Sequence, residues 1–133
     1  MLKPIVSDTP HTHAASADAF AHEKLDAYQA ALAFLRLGHV LVLRLPRTKG
    51  QLGDQLARAS ESILLRIAEG TGCEWKSADQ RRHFRAARGS AMECAAVLDV
   101  CRIRGVGSAE QLAQARSLLV RIAQMLARLS RDA

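Results

Sequence analysis

Four arginines on one short stretch carry the most chemistry in this chain: Arg81, Arg82, Arg85 and Arg88. Arg81, Arg85 and Arg88 are spaced i, i+4, i+7, so a helix places them on one face. Arg82 flanks them, and Lys76 comes before the stretch. Guanidinium keeps its charge in any protein setting and forks onto phosphate or carboxylate. Such a ridge suits a phosphate backbone, and equally suits a solvated face or a set of subunit-bridging arginines. No aromatic residue interleaves with these arginines. Base stacking is therefore unsupported, and binding there would act by charge and shape rather than by sequence.

Other chemistry is sparse. There is no Gly-rich phosphate loop, no nucleophile elbow and no Cys or His pattern at metal spacing, so no catalytic residue, no metal and no cofactor is expected. Glu69 and Glu93 are the best carboxylate pair, but antiparallel helix pairing sets them far apart, and both read as structural. Cys94 and Cys101 are seven apart on one helix, about 10 Å by helical rise, too far for a disulfide. They read as small core residues. Cys73 lies in a loop without a partner His or Asp. His11 and His13 fall in a segment without periodicity and read as inert.

Charge is unevenly spread. The net charge is +6, from 19 Lys and Arg against 13 Asp and Glu. Residues 1–75 hold eight of each sign, and residues 76–133 hold eleven cations and five anions. An acidic partner and a solubilising surface fit this balance equally. No apolar run approaches the ~18 residues of a membrane span, and no signal peptide is visible. An odd cysteine count without metal spacing points to reduced thiols and a cytoplasmic protein.

The elements that must position the ridge are helices. At 133 residues the chain fits one domain. Residues 1–19 read as a flexible N-terminal arm and 20–133 as a four-helix bundle. The first helix is expected from about Ala21 to Leu45, with a seam of Leu25, Tyr28, Leu32, Leu35, His39 and Val42. Val40 to Leu43 would also suit a strand, but no second strand exists to pair with it. Around Leu35 to Leu45 apolar residues point nearly all round the helix. That excess predicts an oligomer interface, with Leu37, Val40, Leu41 and Leu43 as its residues. Pro46 ends the helix.

The central helix runs from about Gln51 to Glu69, with Leu52, Leu56, Ala59, Ile63 and Ile67 inward. Gly70 and Gly72 are expected to cap it in the left-handed conformation. Ser77 to Gln80 is a capping box for a third helix reaching about Arg104, where Gly105 is the cap. Phe84, Ala87, Ala91, Cys94, Leu98 and Cys101 form its inward stripe. Ser108 to Gln111 is a second capping box, opening a helix with Leu112, Ala115, Leu119, Ile122, Leu126 and Leu129 inward and ending near Arg131. Short loops make this an all-α, antiparallel up-down-up-down bundle. A turn centred between residues 74 and 75 sets Gly89 opposite Ser60, predicting a close helix crossing. It also sets Arg88 near Glu61 and Glu93 near Arg58.

Two stretches resemble a known family. Gln55, Leu56, Ala59, Ser62, Ile63, Ile67, Ala68, Glu69 and Gly70 form the first; Ala87, Arg88, Gly89, Ser90 and Glu93 form the second. Together they resemble the signature of the four-helix bundle proteins encoded in intervening sequences of bacterial large-subunit ribosomal RNA genes. That family includes the accessory subunit of diversity-generating retroelements. The resemblance spans residues 23–130. It departs at Arg66, where the family usually has Asn. It implies a homo-oligomeric ring, most readily a pentamer. It also implies a non-enzymatic role, with RNA or DNA, or a reverse transcriptase-like protein, as partner. The rival expectation is a purely structural oligomer with no nucleic-acid role.

Overall fold

The computed structural model describes residues 20–45 and 51–131. The expected arm, with His11 and His13, and the expected stop at Pro46 lie outside the described residues. A 3-10 turn, Ala21–Lys24, leads into α1, Asp26–Arg44. Then follow α2, Leu52–Thr71, α3, Ala78–Ile103, and α4, Ala109–Leu129. No strand occurs among the described residues, and Val40 to Leu43 are helical. Each helix packs on its chain neighbours, and α4 closes the square against α1. Arg85 Nη2 donates to the Ser130 carbonyl oxygen at 3.2 Å. The start of α3 thus meets the end of α4, as antiparallel packing requires.

The inward stripes of α2, α3 and α4 are those expected. Leu56, Ile63 and Ile67 are fully buried, with Phe84, Ala87, Cys94, Ala115, Ile122 and Leu126 against them. Leu129 is partly buried at the rim. The phase of α1 differs from expectation. Its buried residues are Ala27, Ala30, Ala31, Phe34, Gly38 and Leu41. The expected seam sits about one residue to the side: Leu25, Tyr28, Leu32, Leu35 and Val42 are half-buried, and His39 is exposed. The helix is apolar on too many sides for periodicity alone to choose its face. Small residues decide it, because Ala and Gly let the backbones approach, and Phe34 and Leu41 fill the remaining space.

Helix ends follow local chemistry, with two corrections. Gly105 takes φ +72, and the N–H groups of Gly105 and Val106 bond Arg102 O at 3.2 Å and Cys101 O at 2.8 Å. This is a Schellman cap with buried Val106 as its apolar clip. Gly70 and Gly72 do not cap α2 in the left-handed region: Gly70 is helical and buried, and Gly72 has φ −77. The left-handed residue of that turn is Lys76, at φ 61. The capping box at Ser108 is complete, but the one at Ser77 is half-formed. Ser77 Oγ accepts the Gln80 N–H at 3.1 Å. The Gln80 side chain, 1% exposed, instead joins two segments. Its Oε1 accepts the Lys76 N–H at 2.8 Å, and its Nε2 donates to Gly70 O at 3.0 Å. Those bonds hold the strained Lys76 backbone in place.

The expected register of α2 on α3 also shifts. Ser62 and Ser90 share a hydroxyl hydrogen bond at 2.9 Å, so Ser60 does not face Gly89. Ser60 is buried and lies against Gly38 of α1, where a Cβ would sit 4.0 Å from its Oγ. Gly89 is exposed, and a Cβ there meets nothing within 4 Å. The close crossing predicted for Gly89 is therefore absent. The close approach belongs to Gly70, whose Cβ would fall 2.6 Å from Phe84 Cε1. Neither Arg88–Glu61 nor Glu93–Arg58 forms an ion pair; Arg66–Glu69, Arg82–Asp79 and Arg102–Asp99 do, each within one helix.

Candidate nucleic-acid interface

The four ridge arginines all lie in the first half of α3, and they differ in what they touch. Arg81, half-buried, donates from Nη1 to Lys76 O at 2.6 Å, bracing the turn before the helix. Arg82 pairs with Asp79 at 3.3 Å, and both side chains are more than two-thirds in water. Such a pair contributes little to stability and is easily exchanged. Arg85 clips α3 to the last turn of α4 through Ser130 O. The Ser130 hydroxyl in turn donates to Leu126 O at 2.7 Å, and the residue is buried. Arg88 is half-buried one row further along. The ridge is thus partly structural, and it has a neighbour that periodicity in α3 did not show. The Arg85–Ser130 contact brings the end of α4, with exposed Arg131, beside it.

A second basic cluster lies at the other end of the same helix pair. A groove of about 240 Å³ between α3 and α4 has an apolar floor including Leu98 and Leu112. Arg102 and Arg116 stand at its rim, with Asp99. The side chains of Arg102 and Asp99 pair at 3.6 Å, both about two-thirds exposed. The sequence does contain a signal for this cluster. Arg81, Arg88 and Arg102 recur at multiples of seven and must share a face.

The carboxylates do not converge. Glu69 is paired with Arg66 at 3.9 Å near the end of α2, and Glu93 is exposed in the middle of α3. Arg66, at the family's usual Asn position, also lies 3.2 Å from His83 Nδ1 through its Nη1. Burial, with a smaller push from Glu93, drives the Cys94 thiol up to about 12, so it stays a neutral core group. Burial likewise raises Cys101, against a lowering effect of Arg104. Cys73 is half-buried, its Sγ 3.5 Å from Glu69 O. Among the described residues no group of His, Cys, Asp or Glu is placed to hold a metal ion.

The expected interface of Leu37, Val40, Leu41 and Leu43 separates into parts. Leu41 is 1% exposed and belongs to the core of the single chain, a consequence of the phase of α1. Leu43 is 72% exposed and Val40 38%. Leu37 and Val40 line a shallow groove with Ala33, Arg36, Gln114 and Leu118, so α4 supplies two of its six lining residues. The pair Leu118–Leu119 was the available signal: with Leu119 in the core, its neighbour must turn away from it. Among the described residues no helix is long and apolar enough to cross a membrane.

Compared with known proteins, residues 23–128 match the family model described as 23S rRNA-intervening sequence protein. No curated protein matches the chain.

Proposed function

The chain belongs to the 23S rRNA-intervening sequence protein family, and from that premise we propose that it is a non-enzymatic, self-associating adaptor of the cytoplasm that binds nucleic acid through its α3 arginines. The observation that supports this reading is the Arg85–Ser130 contact. It places two helices' worth of guanidinium at one end of the bundle, around Arg81, Arg85 and Arg131. A field of that kind attracts a polyanion and releases its counterions on contact.

The test is a salt titration of the full chain with labelled mixed-sequence RNA and DNA. Affinity falls steeply with salt, with little dependence on sequence. The variant that probes it best is Arg82→Ala with Arg88→Ala, because Arg81 and Arg85 also hold the turn and the α4 end. Each phosphate-contacting Arg removed should flatten the slope of log K against log salt by ~1. No binding at low salt would leave the purely structural oligomer as the reading.

Self-association is the second part of the proposal, and the α1–α4 groove with exposed Leu43 supports it. The expected state is a closed homo-oligomer, with a pentamer as the first choice. Light scattering should give a multiple of the 14.5 kDa chain at micromolar concentration. Leu43→Glu with Val40→Glu should lower that mass without unfolding the helices. A monomer mass for the unaltered chain removes this part of the proposal.

A further inference from the structure

We infer that the nucleic acid recognised is double-stranded RNA, laid across the α3–α4 face; the inference rests on the nucleic-acid reading above and narrows it. Two rows of residues run along this face. On α3 the row is Arg81, Arg88, Ala95 and Arg102, each seven residues after the last. Arg102 fixes its direction, since it stands in the groove against α4. On α4 the row is Ser117, Gln124 and Arg131, also seven apart and all exposed. Ser117 follows Arg116, which faces α3, and precedes Leu118, which faces α1, so this row points outward.

The α3 row has Arg81 and Arg88 at one end and Arg102 at the other, the α4 row ends in Arg131 with Arg116 beside its first residue Ser117, and the middle members, Ala95 and Gln124, are uncharged. Arg88 and Arg102 are 14 residues apart, about 21 Å by helical rise. Between them lie Met92, 66% exposed, Ala95 and Ala96; on α4, Val120 and Gln124 cover the same stretch. A single strand asks for a continuous cationic track with aromatic platforms for its bases. This face has neither. The aromatic residues lie elsewhere: Phe34 and Phe84 are in the core, Trp75 is in the α2–α3 turn, and Phe20 and Tyr28 are around the start of α1. A duplex presents two ridges of phosphate with a groove between, which is the pattern of two basic clusters around a neutral centre.

The shape of the face selects the duplex. B-form DNA is read by an element that enters a major groove ~12 Å wide, or by side chains threaded into a minor groove of ~6 Å. Here two antiparallel helices lie side by side, and neither projects. The A-form minor groove is wide and shallow and lined with 2′-hydroxyls, so a broad face can cover it. Ser117 and Gln124 supply hydroxyl and amide groups where those 2′-hydroxyls would lie.

The experiment is fluorescence anisotropy with the full chain and four labelled probes: a 20-bp RNA duplex, the DNA duplex of the same sequence, and each RNA strand alone. The RNA duplex should bind most tightly, by about tenfold over either strand and over the DNA duplex. Arg102→Glu with Arg116→Glu should weaken duplex RNA binding and reduce the salt slope by about two units, one per contact. Arg58→Glu on α2, which packs on α1 and α3 rather than α4, should change neither. Ser117→Ala with Gln124→Ala should reduce the preference for RNA over DNA duplex while keeping the salt slope. Variants are compared after circular dichroism and gel filtration match the unaltered chain. Arg102→Gln with Arg116→Gln repeats the test with the same expected sign if the acidic pair perturbs folding. Single strands binding as tightly as the duplex would overturn the inference and leave the nucleic-acid reading standing. DNA duplex binding equal to RNA, or full binding by the Arg102 and Arg116 variants, would overturn it too. No binding of any probe at low salt would overturn both.

Discussion

Leu56→Ala is expected to destabilise the bundle by about 2–5 kcal/mol, the usual range for truncating a buried Leu. Leu56 is 0% exposed, on the α2 stripe with Ile63 and Ile67, facing the core from a helix that packs on both neighbours. Truncation removes three carbons, the branching Cγ and its two methyls, from water-free surroundings and leaves a cavity that the other helices cannot fully close. The whole stability of a domain this size is ~5–15 kcal/mol, so the loss is a large share of it. Denaturant midpoints at fixed protein concentration measure the effect. Leu65→Ala is the matched comparison: Leu65 is 60% exposed on the same helix and should stay within about 0.5 kcal/mol of the unaltered chain. Equal effects at the two positions would mean that the phase of α2 is wrong.

The phase of α2 was readable because its large apolar residues, Leu64 and Leu65 apart, fall on one stripe. Leu52, Leu56, Ala59, Ile63 and Ile67 leave Asp54, Arg58, Glu61 and Glu69 outside, so only one face has a place inside. In α3 and α4 too the buried stripe outweighs the few exposed large apolar residues, Met92, Ile103 and Val120. For α1 the stripe is not confined, and a reading that prefers leucine to alanine chooses Leu32 over Ala31, and in the same phase Leu35 over Phe34. Side-chain size points the wrong way where backbones must come close. The interface assignment inherited that error, since the phase that buries Leu41 also leaves Leu43 outside. The arginine ridge was legible as a local i, i+4, i+7 pattern. Its extension was not, because Arg116 and Arg131 are brought to α3 by a helix that follows an independent turn. Gln80 shows the same limit. Its spacing from Ser77 marks a helix start, yet the contact that buries it is to Gly70, ten residues back.

Glycine gives the sharpest contrast between pattern and packing, and the second large effect. Gly70→Ala is expected to destabilise by ~1–3 kcal/mol, the range for forcing extra atoms into a filled site. Helix propensity alone predicts the opposite, a gain of ~1 kcal/mol for Ala over Gly inside a helix. Contact geometry decides between them. The added Cβ would lie 2.6 Å from Phe84 Cε1, 2.9 Å from Cδ1 and 3.3 Å from His83 Cβ. Phe84 is fully buried, so its ring has no room to retreat, and Gly70 O is held by Gln80 Nε2 at 3.0 Å, so the backbone resists shifting as well. Gly89→Ala makes the same chemical change in open space and should stabilise by up to ~1 kcal/mol. Opposite signs for one substitution at two helical glycines are the expected result in thermal or denaturant unfolding. Phe84→Leu in the Gly70→Ala background separates steric conflict from general damage at the helix end. If the ring is the obstacle, the two changes couple, and the double variant is more stable than the sum of the single losses. Strict additivity would place the cost in the α2 backbone instead.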